Sequence, residues 1–109
     1  MKSRTTYKKE SGISSDTSLF FPVDDTIFIT TGLRFTGTLV ATVYTYAHVR
    51  GYGRIKTLDT QAISGTNDYS ILDSATSVAG YDAIEYYVDV TSGNSDLEIF
   101  QHNATSYGS

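Results

Sequence analysis

The 109-residue chain has no cysteine and no tryptophan, and only one proline and one methionine. Without cysteine it can form neither disulfides nor thiolate metal sites, which removes the disulfide-scaffold class of small secreted proteins. No apolar run approaches the roughly 18 residues that a membrane span needs, and the apolar clusters present are of strand length. The basic N-terminus, MKSRTTYKKESGISSD, is followed by no apolar stretch and does not read as a signal peptide. Phosphate-binding loops are missing too: GYGR (51–54) has neither the length nor the Lys-Ser/Thr ending of a P-loop.

What the chain does contain points to β-structure. Thr, Ser, Tyr, Val and Ile are abundant, with nine tyrosines among them, while strong helix formers such as Glu, Lys, Leu and Ala are sparse. Threonine, tyrosine and the β-branched aliphatics suit a pleated, half-buried surface. The length allows one domain with a single modest core. Charge is unevenly placed. Lys2, Arg4, Lys8 and Lys9 against Glu10 give residues 1–10 a net of +3, so the remainder must carry −7 to reach the total of −4. An acidic body of this kind is no general nucleic-acid binder through its main surface.

Residues 1–18 are polar without apolar period and read as an extended basic arm, which deletion should leave the domain able to do without. Short strands between turn signals follow. SLFFPV (18–23) is a strand whose proline favours an edge, and TIFITTGLRF (26–35) is the next. GTLVATVYTYAHVR (37–50) is the clearest, with Leu39, Ala41, Val43, Ala47 and Val49 inward. RIKTL (54–58) returns from the GYG turn. Residues 59–67 look like loop, DYSILD (68–73) like a weak strand or a helical turn, and SATSVAG (74–80) like loop again. DAIEYYVDV (82–90) places Ile84, Tyr86, Val88 and Val90 inward and Glu85, Tyr87 and Asp89 outward; TSGNSD turns as a hairpin into LEIFQH (97–102). The pattern predicts an all-β fold: one antiparallel β-sandwich, jelly-roll-like, of six to eight short strands, with a small closed barrel as the alternative. The expected organisation is an arm over 1–18, a sandwich over 19–102 and a polar tail over 103–109.

Catalytic chemistry finds little purchase. His48 and His102 are the only imidazoles, and both read as solvent-facing residues near strand ends rather than as bases. The carboxylates of Asp82, Glu85 and Asp89 could serve glycoside hydrolysis only in a cleft, and Glu85 and Asp89 fall where surface charges ordinarily sit. The acidic loops around Asp24, Asp25, Asp59, Asp68, Asp73 and Asp82 offer oxygen ligands of the calcium type but no EF-hand spacing, and solvated loop carboxylates are the plainer reading. The reading is therefore of a non-enzyme with no catalytic, metal or cofactor residues.

The tyrosines are the remaining signal. Tyr44 and Tyr46, beside His48, form a ladder on one strand face, Arg50 and Tyr52 extend it, and Tyr87 joins it if the two strands share a sheet. Ordinary cross-strand pairing, burial against a partner subunit and a carbohydrate platform are all compatible with such a face. With Lys2, Arg4, Tyr7, Lys8 and Lys9 of the N-terminal stretch, these are the candidate partner-binding residues.

In whole profile, KSRTTYKKESGISSD before the sandwich and YDAIEYYVDVTSGNSDLEIFQ near the end, the chain resembles the small β-sandwich accessory proteins of tailed-bacteriophage virions: capsid decoration, head-fibre and tail-associated modules. The second stretch is similar to the penultimate hairpin of many trimeric fibre-head and jelly-roll modules. The resemblance implies a structural virion protein that binds and strengthens or decorates a capsid or tail lattice. It implies other virion or assembly subunits as partners, a homo-oligomer, and location in the virion, with no nucleic acid bound through the main domain and no membrane. A carbohydrate-binding module recognising surface glycans, and an extracellular filament or surface-layer subunit, are the alternatives.

Overall fold

The computed structural model describes residues 3–23 and 26–104. Within them lie eight strands: β1 (Ser3–Ile13), β2 (Thr17–Pro22), β3 (Phe28–Phe35), β4 (Val40–Val49), β5 (Gly53–Ser64), β6 (Asn67–Ser77), β7 (Ala83–Ser92) and β8 (Ser95–Ala104). They form two four-stranded sheets with orders β1-β8-β3-β6 and β2-β7-β4-β5, and every pairing is antiparallel. Only β4 and β5 are joined as a hairpin within one sheet. All other connections cross between sheets, which is the double Greek key of a jelly roll.

The alternation of apolar residues explains the two-layer packing. Along β4, Ala41, Val43, Thr45 and Ala47 are buried while Thr42, Tyr44, Tyr46 and His48 lie half-buried on the other face. Leu19 and Phe21 of β2, Ile29, Leu33 and Phe35 of β3, Ile84, Tyr86 and Val88 of β7, and Leu97 and Ile99 of β8 meet them in the core. Burial of side chains of this size supplies about 1.5–3 kcal/mol each before the cost of chain ordering.

Five polar side chains run through this core as a directed hydrogen-bond chain. Thr31 Oγ1 lies 2.7 Å from the Tyr86 hydroxyl, which donates to Gln101 Oε1 at 2.6 Å. Gln101 Nε2 then donates to Asn103 Oδ1 (3.2 Å), and Asn103 Nδ2 to Thr26 Oγ1 (3.1 Å). Because Tyr86 spends its proton on Gln101, Thr31 must be the donor in the first bond. Tyr86 belongs to one sheet and Thr31, Gln101 and Asn103 to the other, so the chain ties the layers in a single relative position. Burial pushes the Tyr86 phenol far above its ordinary pKa, keeping it a neutral donor.

Several sequence expectations need correction. The polar stretch read as an arm is strand β1 of the sandwich, paired with β8 from Ser3↔Ala104 to Ile13↔Ser95. The 59–67 stretch read as loop is mostly strand, because β5 runs on to Ser64, and β6 absorbs most of the next loop. TSGNSD is no hairpin turn, since β7 and β8 lie in different sheets. Asn103 and Ala104 of the expected tail complete β8; residues 105–109 lie outside the described residues, as do Lys2, Asp24 and Asp25.

The register gives the sandwich two distinct ends. One carries the β4–β5 hairpin tip and the meeting of Ser3 with Ala104. At the other, the β3–β4 and β7–β8 turns clasp: Thr38 N–H donates to Asn94 C=O at 2.8 Å. A Cβ on Gly37 would sit 2.2 Å from Asn94 O, and one on Gly93 2.3 Å from Thr38 O, so the clasp requires glycine at both places. Toward this clasped end of the strands, the carboxylates of Glu10, Asp16, Asp68, Asp89, Asp96 and Glu98 outnumber the cations Lys9 and Arg34 among the described residues, with Lys8 and Asp59 near the strand midpoints.

Candidate functional site

The outer face of the β2-β7-β4-β5 sheet gathers the aromatic residues. Register sets Phe20, Glu85 and Tyr46 in one row, and Ser18, Tyr87 and Tyr44 in the next. His48 and Arg54 face each other across the β4–β5 hairpin. The row-by-row order brings a single carboxylate into the middle of a patch of rings and cations.

Glu85 is only 2% exposed although it points outward. Arg54 grips it in a two-pronged pair, Nε to Oε1 and NH2 to Oε2, each 2.8 Å. His48 Nε2 lies 2.7 Å from Oε1, and Ser18 Oγ donates to Oε2 at 2.6 Å. A carboxylate can only accept, so His48 carries a proton on Nε2. Four donors thus saturate the two oxygens. The Arg54 hydrogen bonds above all, reinforced by Ser18 and His48, outweigh burial and hold the Glu85 pKa at about 2, below its ordinary 4.5.

The rings are locked by the same residues. The Arg54 guanidinium lies 4.2 Å from the centroid of Tyr46 and 5.1 Å from that of Tyr87. Tyr44 stacks against Tyr46 at 5.9 Å with 14° between planes, and against Tyr87 at 6.3 Å and 25°. Phe20 meets His48 edge to face at 5.4 Å. The Tyr87 hydroxyl donates to Asp16 at 2.8 Å, and the Val90 N–H, with Tyr87 second, holds Asp16 below the usual carboxylate range. Contacts of cations and aromatics at these distances are worth about 0.5–1 kcal/mol each where exposed. Their effect here is to hold the rings against one another and against Arg54.

The sequence-derived candidates divide among three places. Tyr44, Tyr46, His48 and Tyr87 do come together on this face. Arg50 and Tyr52 sit instead on the β4–β5 hairpin tip. Tyr7 lies on the outer face of the other sheet, its hydroxyl donating to Glu98 at 2.7 Å and its ring 5.1 Å from Phe100. Arg4 and Lys9 lie exposed on β1, Lys9 3.9 Å from Asp96. Lys8 points between the layers, its ammonium 5.1 Å from the Phe21 ring and donating to the Phe20 carbonyl. It thereby caps a carbonyl of edge strand β2, as inward charges on edges do.

Sequence reading missed Arg54, Ser18 and Phe20, and took Glu85 for an ordinary surface charge. The hairpin register, which pairs His48 with Arg54, was the available signal for the first of these. An open cleft of about 420 Å³ between edge strands β5 and β6, lined by Leu58, Asp59, Gln61, Ser70, Ile71, Leu72 and Thr76, lies apart from the tyrosine face. No group of three or more His, Cys, Asp or Glu side chains with metal-site geometry occurs among the described residues.

No protein-family model and no curated protein matches the chain. Solved structures do. The SPBc2 prophage-derived protein YomS is similar with a TM-score of 0.61 at 15% identity, over 93% of this chain and 96% of that one. A subunit of the Bacillus endospore appendages, described as disulfide-linked pili, aligns at a TM-score of 0.56 and 11% identity, over 96% of this chain and 88% of its own. A chain of infectious bursal disease virus aligns at 0.53 and 9% identity; all of this chain covers 35% of that one. At such identities the likeness is one of fold: the chain shares its β-sandwich with a prophage-derived protein, a pilus subunit and a viral protein.

Proposed function

We propose that this chain is a non-enzymatic structural subunit that binds a virion lattice, capsid or tail, through flat protein–protein contacts and stabilises or decorates it. The observation that carries this reading is the outer face of the β2-β7-β4-β5 sheet. Tyrosine, phenylalanine and arginine are the residues that interface centres favour, and here they are held in place before any partner arrives. Preorganisation of this kind lowers the ordering cost of docking, and lattice repetition multiplies modest single contacts. Folds shared with a prophage-derived protein, a pilus subunit and a viral protein support the same class of role.

Phe20, 47% exposed, and Tyr44 are the residues to test. Particles purified from the source organism should contain the chain in many copies by quantitative mass spectrometry. A folded Phe20→Ser/Tyr44→Ser variant should be under-represented in them. Absence of the chain from particles, or full occupancy by the variant, sinks the reading.

The glycan-platform alternative requires ring faces open to a sugar. One face of Tyr46 is covered by Arg54, and its neighbour Tyr44 stacks on it. Glycan-array binding abolished by Tyr44→Ala/Tyr46→Ala would nevertheless replace the lattice reading with this one.

A further inference from the structure

The β4–β5 hairpin tip is unlike the rest of the surface. In a chain where acidic residues outnumber basic ones 12 to 8, it groups Arg50, Arg54 and Lys56 within seven residues. Arg54 is consumed by Glu85. The side chains of Arg50 and Lys56 make no hydrogen bond or ion pair with any described residue and are exposed. Between them stand Tyr52, 80% exposed, and Ile55, 51% exposed. Ile55 is the extra residue of a bulge, since Ala47 pairs with Lys56 and His48 with Arg54. The tip is also held in position: Tyr52 N–H donates to Val49 C=O at 2.9 Å, Arg50 N–H to the Asp82 carboxylate, and Asp82 N–H to His48 C=O at 2.9 Å. Two apolar side chains flanked by two unneutralised cations on a braced turn suit an acidic protein surface with an apolar centre.

Such a surface exists on this chain, at the opposite end of the same sheet. Val40 is 41% exposed there. Asp89, one row inward on the neighbouring strand, is exposed and makes no ion pair with a described residue. Asp16 lies beside it, bound to Val90 and Tyr87 but to no cation. In this half of the strands carboxylates outnumber cations among the described residues. The two ends complement each other in both charge and polarity, and being different surfaces they make a heterologous contact that propagates along the strand axis.

We propose that the hairpin tip of one copy docks head-to-tail on the far end of the β2-β7-β4-β5 sheet of the next. Tyr52 and Ile55 would rest against Val40, and Arg50 and Lys56 would face Asp89 and Asp16. This deepens the assembly reading by naming a second copy as a partner, and its failure leaves the lattice reading standing.

Sedimentation velocity of the full chain over a concentration series, at low and high salt, tests it. Self-association should grow with concentration and weaken with salt. Arg50→Glu/Lys56→Glu and, separately, Asp89→Lys should each weaken it about tenfold or more while thermal unfolding stays unchanged. Mixed together, the two variants should associate as pairs, because each keeps the half that the other has lost. A monomer at every concentration, undiminished association in either variant, or failure of the mixed variants to pair overturns the proposal.

Discussion

Glu85 sits on the outer face of a sheet, where a carboxylate ordinarily contributes little, yet it is nearly inaccessible and holds four donors. Its folded pKa, at about 2, lies below the ordinary 4.5. The stability it contributes is therefore complete above about pH 4.5 and is lost as the pH falls toward 2. That depression corresponds to about 3 kcal/mol. Urea midpoints recorded from about pH 5 down to about pH 2 should fall for the wild type. Glu85→Gln, which removes the charge and turns one of the two accepting oxygens into an amide donor facing other donors, should be less stable at neutral pH and lose distinctly less over that interval. Equal slopes in the two proteins would show that Glu85 is not the group being titrated. Polar residues in the core divide in the same way between satisfied and orphaned. Tyr86→Phe leaves Thr31 and Gln101 without their partner and should cost about 1–3 kcal/mol in urea denaturation. Thr45 Oγ1 is buried with no hydrogen-bond partner among the described residues, so Thr45→Val should be neutral or stabilising in the same assay.

Among the elements, β1 differs most from its sequence reading. Its inward positions include Lys8 and Glu10, so the apolar alternation that betrays a strand is missing. Edge strands tolerate such residues because their long side chains reach solvent or neighbouring backbone. The continuation of β5 beyond Leu58 escaped recognition for a related reason: two bulges shift the strand's phase against β4, after Thr45 and after Ala47, and break the period of two. Central strands β4 and β7, packed on one face and paired on both edges, showed their inward face in the alternation of Ala41, Val43 and Ala47 and of Ile84, Tyr86 and Val88. Val49, expected inward, is only half-buried at the strand end. The site was legible only in part. Tyr44, Tyr46, His48 and Tyr87 share a strand face or a sheet, which alternation reveals, whereas the burial of Glu85 depends on cross-strand partners that a single sequence does not align. Since β1 pairs with β8 over nearly its whole length, deleting residues 1–13 should expose one edge of β8 and free the Phe20 carbonyl from Lys8. Circular dichroism and thermal unfolding should find the truncated chain strongly destabilised or unfolded. A truncation with wild-type melting would restore the dispensable arm that the sequence suggested.

At the scale of the whole molecule, the sandwich joins its first and last described strands in one sheet. Ser3 pairs with Ala104, so the two strands lie side by side, β1 at the edge and β8 inside the same sheet. Most residue pairings link distant parts of the chain, and a topology of this kind folds slowly. The two layers are further tied by the polar chain through Tyr86, and the clasp of Gly37 with Gly93 locks one end. The hairpin tip at the other end takes part in none of these closures. It is a projection that the core does not need, and a chain opened there should still fold. A circular permutant that links the paired Ser3 and Ala104 strand ends and is opened between Gly51 and Tyr52 separates folding from docking. It should retain the β-sheet spectrum and a cooperative unfolding transition, with some loss of midpoint because the β4–β5 turn is cut. In sedimentation it should stay monomeric at concentrations where the parent chain associates, because the cut removes the braced presentation of Tyr52 and Ile55. A permutant that folds and still associates as the parent does would move the contact away from the tip; one that fails to fold would make the hairpin part of the folding core rather than a surface set apart for a partner.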